Sequence, residues 1–277
     1  MTRYERLFAA AAAAPRGVFV PFVMLGDPDL ALSRRILGAL VAGGADALEL
    51  GLPFSDPVAD GPVIQAAGVR ALGAGVRTRD CWALLRELRA AAPEVPVGLL
   101  VYANLVVNHG VDAFYGAAAA AGVDSVLVAD VPTLEAAPFV SSATRHGIAP
   151  VLIAPPNASD ERLAVIARLG RGYTYVVTRA GVTGADEALR GGQERLLARL
   201  RALGAPPPLL GFGISRPEHV AQAIAAGAAG AISGSAVVAH IPRLAHDPEA
   251  LLAELRAFVA RMRAATVTAA SPAAAAE

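Results

Sequence analysis

Short apolar runs rich in β-branched residues recur along this chain, and between them lie longer segments whose apolar positions return every three or four residues. The first pattern is that of buried strands and the second that of amphipathic helices, so their alternation predicts a parallel sheet with crossover helices. The strand candidates are 18–25, 47–51, 97–102, 125–129, 150–154, 173–177, 208–211 and 229–233, most of them ending near Gly, Asp, Asn or Pro. That number of strands favours a closed α/β fold, the (βα)8 TIM barrel with short extra helices, over an open sheet.

The helix punctuation agrees. Pro28-Asp29 precedes the amphipathic stretch 30–42 and Gly43-Gly44 ends it, while Ser159-Asp160 and Ser215-Arg216-Pro217 signal further helix starts. A last helix is expected over 248–264, and residues 265–277, rich in Ala, Thr and Ser without periodicity, are expected to fray. Neither a linker nor a repeat beyond the βα alternation divides the chain, so residues 1–264 are expected to form one barrel domain.

Composition narrows the picture. A length of 277 residues suits one barrel, since such domains run to about 250 residues. The 55% hydrophobic content is enlarged by alanine stretches such as 9–14 and 117–121, and small side chains suit close packing of helix on sheet. Mean hydropathy is positive, at +0.49. The apolar runs are nevertheless broken by Gly, Pro, Asp or Arg before the roughly 18 residues a membrane span needs. The N-terminus lacks the apolar core and cleavage site of a signal peptide, so a cytoplasmic location is expected. Net charge is zero with no basic cluster, which leaves no electrostatic footprint for nucleic acid or an anionic membrane. Every basic residue is Arg, and the absence of Lys excludes both a Schiff-base lysine and a P-loop lysine. The lone Cys81 falls in the first turn of an expected helix, where a packed thiol is a better reading than a nucleophile.

In a barrel the working residues sit where strands end and the following loops begin. The second strand reads Ala47-Leu48-Glu49-Leu50-Gly51, and alternation turns Leu48 and Leu50 to the helices and Glu49 into the barrel. A desolvated carboxyl there would have a raised pKa, suited to giving and taking a proton near neutrality; the plainer alternative is a buried Glu satisfied by Arg or backbone donors. The loop after it, Pro53-Phe54-Ser55-Asp56-Pro57-Val58-Ala59-Asp60-Gly61-Pro62, is stiffened by proline and presents two aspartates. Asp60 is placed either in the pocket or, as the position before Gly61-Pro62 favours, as a helix cap. Asp130, after the fourth strand, divides evenly between a turn or cap and the pocket.

Glycine-rich strand ends follow in the second half: Gly181-Val182-Thr183-Gly184, Gly211-Phe212-Gly213-Ile214-Ser215 and Ile232-Ser233-Gly234-Ser235. The last two follow the seventh and eighth strands, where barrels bind phosphate through backbone N–H groups and a short extra helix, for which Ser235-Ala236-Val237-Val238 qualifies. The segment 178–186 has the Gly, Thr and charge content of a closing lid. The histidines, His109, His146, His219, His240 and His246, show no metal-ligand pairing at strand ends, which disfavours a metal-dependent aldolase; His109 reads as a turn residue. Neither a nucleophile elbow nor a dinucleotide fingerprint appears in its required context.

The segment from Leu48 through Gln65, with Leu48-Glu49-Leu50-Gly51-Leu52-Pro53-Phe54-Ser55-Asp56-Pro57-Val58-Ala59-Asp60-Gly61-Pro62 at its heart, resembles the signature of the tryptophan synthase alpha subunit family. The resemblance continues in Pro21-Phe22, Tyr102-Ala103-Asn104, Val128-Ala129-Asp130-Val131-Pro132, Ala154-Pro155-Pro156-Asn157, 179–184, 211–215 and 230–235, and covers about residues 3–264. It implies retro-aldol cleavage of indole-3-glycerol phosphate to indole and glyceraldehyde 3-phosphate in tryptophan biosynthesis. Glu49 would be the main acid and base, and Asp60 would stabilise positive charge at the indole nitrogen, reversing the cap reading. Gly184, Gly213, Gly234 and Ser235 match the phosphate-binding positions. Phe22, Leu100, Leu127, Tyr175 and Phe212 match the pocket around indole, and Thr183 would meet Asp60 on lid closure. The resemblance also implies an α2β2 assembly with indole tunnelling to a PLP-dependent beta subunit, whose contact region corresponds to Asp56, Pro57, Asn104 and Pro132. No cofactor is expected in this chain. A stand-alone lyase, a sugar-phosphate isomerase and a binding module that only activates a partner are the alternatives.

Overall fold

The computed structural model describes residues 1–177 and 186–267. Its strands are β1 (Val18–Met24), β2 (Leu48–Gly51), β3 (Val97–Val101), β4 (Ser125–Val128), β5 (Ala149–Pro150), β6 (Leu152–Ala154), β7 (Thr174–Val176), β8 (Pro208–Leu210) and β9 (Gly230–Ser233). They form one sheet in the order β5-β4-β3-β2-β1-β9-β8-β7-β6, and every pairing is parallel. β5 and β6 are the two halves of the single strand expected over 150–154, with Val151 between them donating its N–H to Val126 O at 3.0 Å. Pro150 accepts the Arg171 N–H at 2.9 Å but has none to give, so the ladder lapses for one residue while the chain runs on extended. The two ends of this order are therefore neighbours along the chain, and the sheet is a nearly closed eight-stranded TIM barrel with surrounding helices.

β1 is buried along its whole length, as a strand covered on both faces must be. Some of the helices begin where capping side chains stand. Asp29 accepts from Leu32 N–H at 2.9 Å, Ser159 from Arg162 N–H at 3.3 Å and Asp247 from Ala250 N–H at 3.1 Å, each satisfying a donor the first turn leaves free. Cys81, in the first turn of the helix Thr78–Ala91, is fully buried, and burial pushes its thiol up to about 12.

One device recurs at the end of the barrel away from the site. Asp46, just before β2, exchanges two bonds with β1: its N–H donates to Phe19 O at 3.1 Å and its Oδ2 accepts from Phe19 N–H at 2.9 Å. Asp124, just before β4, does the same with Val97 of β3, at 2.8 Å for both bonds. Arg16 and Arg263 neutralise Asp46, and Arg3 and Arg89 neutralise Asp124. The buried Asp46 and part-buried Asp124 are tolerated because each is paired and hydrogen-bonded. The helix Arg3–Ala13 lies across this end and puts the Tyr4 phenol 3.0 Å from Ser125 Oγ, at the start of β4.

The expected tail begins too early. Thr266 is fully buried and its carbonyl accepts the Gly17 N–H at 2.9 Å, while Val267 bridges to Arg16, so residues 265–267 pack against the entry to β1. Thr266 stands in a stretch of Ala, Thr and Ser with no periodicity from which to read this. Residues 268–277 lie outside the described residues.

Candidate active site

A cleft of about 450 Å³ opens at the C-terminal ends of the strands, a size suited to a small ligand. Phe22, Glu49, Asp60, Leu100, Leu127, Tyr175, Phe212, Gly213, Gly234 and Ser235, drawn from most of the strands, all line it. Thr183 and Gly184 lie outside the described residues, as does nearly all of the segment read as a lid.

Register explains the convergence. Phe22 of β1 pairs with Glu49 of β2, and Leu100 of β3 with Leu127 of β4, so side chains of equal height turn inward together. Gly211 stands where the phenol ring of Tyr175 passes: a Cβ there would lie 2.2 Å from the ring. The Tyr175 hydroxyl donates to Gly211 O at 3.1 Å, which closes that wall.

Glu49 is 1% exposed. Its Oε2 accepts a hydrogen bond from the Tyr173 hydroxyl, and its Oε1 has no hydrogen-bond partner among the described residues. Burial raises its pKa to about 7, against the pull of the Tyr173 hydrogen bond, which favours the ionised form. Tyr4 packs under this pair, its ring 5.5 Å from that of Tyr173. Neither tyrosine is among the site residues expected from the sequence. Tyr173 had a usable signal, since it lies two positions before Tyr175 and shares its face.

Asp60 does not cap the next helix. The helix Pro62–Gly73 has Gly61 as its N-cap with no side-chain cap bond, and the Asp60 carboxyl is instead hydrogen-bonded by the Tyr102 hydroxyl. Burial raises the Asp60 pKa and that hydrogen bond opposes the rise. Tyr102 also accepts the Ala59 N–H at 3.1 Å and stacks on Phe54 with ring centres 5.5 Å apart, so one tyrosine after β3 fixes both ends of the acidic loop after β2. Gln65 Nε2 donates to the Asp60 carbonyl at 2.8 Å. Asp130 resolves to a cap-like role, its Oδ1 accepting the Ala103 N–H at 2.7 Å at the start of the helix Ala103–Asn108. His109 closes that helix, with Nδ1 3.3 Å from Leu105 O.

Asp56, Pro57, Asn104 and Pro132 do not line the cleft. They lie in the segments after β2, β3 and β4, Asn104 within the helix Ala103–Asn108; Asp56, Asn104 and Pro132 are exposed and Pro57 is half-buried.

The arrangement holds one buried carboxyl with a raised pKa and one loop-borne carboxyl above an apolar floor, with glycine-rich loops opposite. The family model described as "Tryptophan synthase alpha chain" matches residues 8–267. The tryptophan synthase alpha chain of Shewanella amazonensis is 58% identical over 266 residues, covering 96% of this chain and all of that protein. That of Klebsiella pneumoniae is 56% identical over 269 residues, covering 97% of this chain and all of that protein. The crystal structure of the Legionella pneumophila alpha chain superposes with a TM-score of 0.87 at 31% identity, over 98% of this chain and 99% of that one. A chain of the tryptophan synthase complex from Pyrococcus furiosus does so with a TM-score of 0.79 at 34% identity, over 88% and 98%. With family model, close relatives and fold in agreement, the chain belongs to the tryptophan synthase alpha chain family, the lyases that cleave indole-3-glycerol phosphate to indole and glyceraldehyde 3-phosphate.

Proposed function

We propose that in this cleavage Glu49 serves as both acid and base and that Asp60 balances the charge that develops on the indole nitrogen. The observation that carries the reading is the state of Glu49: a buried carboxyl titrating at about 7, with one oxygen held by Tyr173 and the other without a partner among the described residues. Such a group gives and takes protons at neutral pH.

The bond to be broken joins ring carbon 3 to the first carbon of the glycerol phosphate chain. A proton added at ring carbon 3 leaves positive charge on the ring nitrogen. As the bond breaks, its electron pair returns to the ring and cancels that charge, while the adjacent hydroxyl loses its proton and its oxygen becomes the aldehyde. One proton enters and one leaves, so a single carboxyl can serve both steps. Asp60, presented to the same cleft and oriented by Tyr102, supplies the counter-charge to the intermediate.

Backbone N–H groups of Gly213, Gly234 and Ser235, with Gly184, would hold the phosphate, and the helix Ser235–Val238 follows as such sites require. Phe22, Leu100, Leu127, Tyr175 and Phe212 would enclose the ring, and Thr183 would meet Asp60 on closure.

The same reading places a beta subunit carrying PLP, in an α2β2 assembly, on the face that bears Asp56, Pro57, Asn104 and Pro132. In support, the exposed apolar side chains Val58 and Leu134, each 80% exposed, stand on the same loops. The chain has no lysine, so a PLP Schiff base would belong to the partner. Among the described residues no helix is long and apolar enough to cross a membrane.

The test is Glu49→Gln assayed alone and with a beta subunit. Retained fold and substrate binding with nearly all turnover lost is expected; near-normal turnover would remove Glu49 from the mechanism.

A further inference from the structure

The peptide between Ile214 and Ser215 is held at both of its poles. Its carbonyl accepts from the Ser233 hydroxyl at 2.6 Å, and Ser233 is fully buried at the end of β9. Its N–H donates to His219 Nδ1 at 3.3 Å, with Ser215 Oγ also 3.3 Å from that nitrogen. Arg216 Nη2 lies 3.2 Å from Nε2 on the other edge of the ring. Gly213, with a φ of +75°, stands one residue before this peptide and is joined to it through Ile214. Gly213, Ile214 and Ser215 line the cleft together with Gly234 and Ser235.

A glycine in this conformation has many alternatives open to it, so the direction of its N–H depends on what holds its neighbours. That direction matters here because the charged side chains among the described residues lining the cleft are Glu49 and Asp60, both acidic. Recognition of a phosphate would then fall heavily on oriented backbone N–H groups, whose value comes from being fixed in advance.

We propose that His219 is a positioning residue for the phosphate group of the substrate: by accepting the Ser215 N–H it completes, with Ser233, a two-sided clamp that aims Gly213 into the cradle. The inference rests on the reading of Gly213, Gly234 and Ser235 as the phosphate subsite. His219 also stands in the first turn of the helix Pro217–Ala225, whose N-cap residue Arg216 makes no side-chain cap bond. A purely capping role would lower stability without selecting between phosphorylated and unphosphorylated ligands.

The test uses the full chain with its beta subunit, and compares KM and kcat for indole-3-glycerol phosphate with dissociation constants for glycerol 3-phosphate and for indole. His219→Ala is expected to raise KM and weaken glycerol 3-phosphate binding by about 5–20-fold, the scale of one charge-assisted hydrogen bond. It should leave kcat within about twofold and indole binding unchanged, because the clamp touches only the phosphate end. His219→Asn, whose Oδ1 stands where Nδ1 does, should restore most of the loss, and Ser233→Ala should reproduce it. Unchanged glycerol 3-phosphate binding in His219→Ala would overturn the clamp. So would an equal loss of indole binding, or an Arg216→Ala variant that reproduces the effect while His219→Asn fails to rescue it. If glycerol 3-phosphate does not compete with substrate for the unsubstituted protein, the phosphate subsite itself is misplaced and the clamp falls with it.

Discussion

The Tyr173 hydroxyl donates a hydrogen bond to Glu49 Oε2 from the opposite side of the barrel, 124 positions away along the chain. Burial favours the neutral carboxyl and this bond favours the ionised one, and their balance leaves Glu49 at about 7.

Tyr173→Phe removes the opposing influence and leaves burial in place. The Glu49 pKa should rise further, and the acid limb of the kcat/KM profile should move to higher pH with a rate loss at neutrality of roughly tenfold. A pH–rate profile superimposable on that of the parent would show that Tyr173 does not tune the carboxyl.

The raised pKa of Glu49 is also a statement about stability. The unfolded chain releases this proton near the ordinary value of 4.5 and the folded chain only near 7. The stabilisation is therefore fully present below about pH 4.5 and is lost as pH rises through 7. Glu49→Gln carries no such loss, so at pH 8 it should be more stable than the parent, by on the order of 2–3 kcal/mol, with the difference closing towards pH 5. Denaturant melts at the two pH values measure it, and equal gaps at both would contradict the assignment.

Tyr102→Phe takes the donor from Asp60 and the acceptor from the Ala59 N–H while leaving the stack on Phe54. The Asp60 pKa should rise and the loop should lose its register over the cleft. Turnover is expected to fall about tenfold with little change in melting temperature, as for one hydrogen bond to a charged group. A large drop in melting temperature with normal kcat would make Tyr102 a structural residue only.

Gly211→Ala puts a methyl group 2.2 Å from the Tyr175 ring. The ring has to leave its bond to Gly211 O and swing, so the expected cost is about 1–3 kcal/mol of stability, together with weakened indole binding. Tyr175→Ala in the same chain should relieve the stability cost; a double variant as unstable as the sum of the two single ones would locate the strain elsewhere.

Several features were legible from local pattern alone. The alternation of side-chain direction fixes which way Glu49 faces once β2 is recognised, because successive side chains on a strand must point to opposite sides. The capping residues Asp29 and Ser159 act on donors three positions away, a distance the sequence displays directly.

Long-range relations were not legible in this way. Asp60 followed by Gly61-Pro62 has the local form of a cap, and only the approach of Tyr102 from β3 turns its carboxyl to the cleft. Thr266 looks like tail until it is seen beneath Gly17, and the clamp on Ser215 joins His219 to a serine at the end of another strand.

The sequence by itself determined the alternation of strands and helices, the glycine-rich ends of the later strands and the inward carboxylate, since each follows from residues within a few positions of one another. Only the tertiary structure decided the ionisation balance of Glu49, the partner of Asp60 and the aim of the glycine loop. Those depend on desolvation and hydrogen bonds between segments that meet only when the barrel closes.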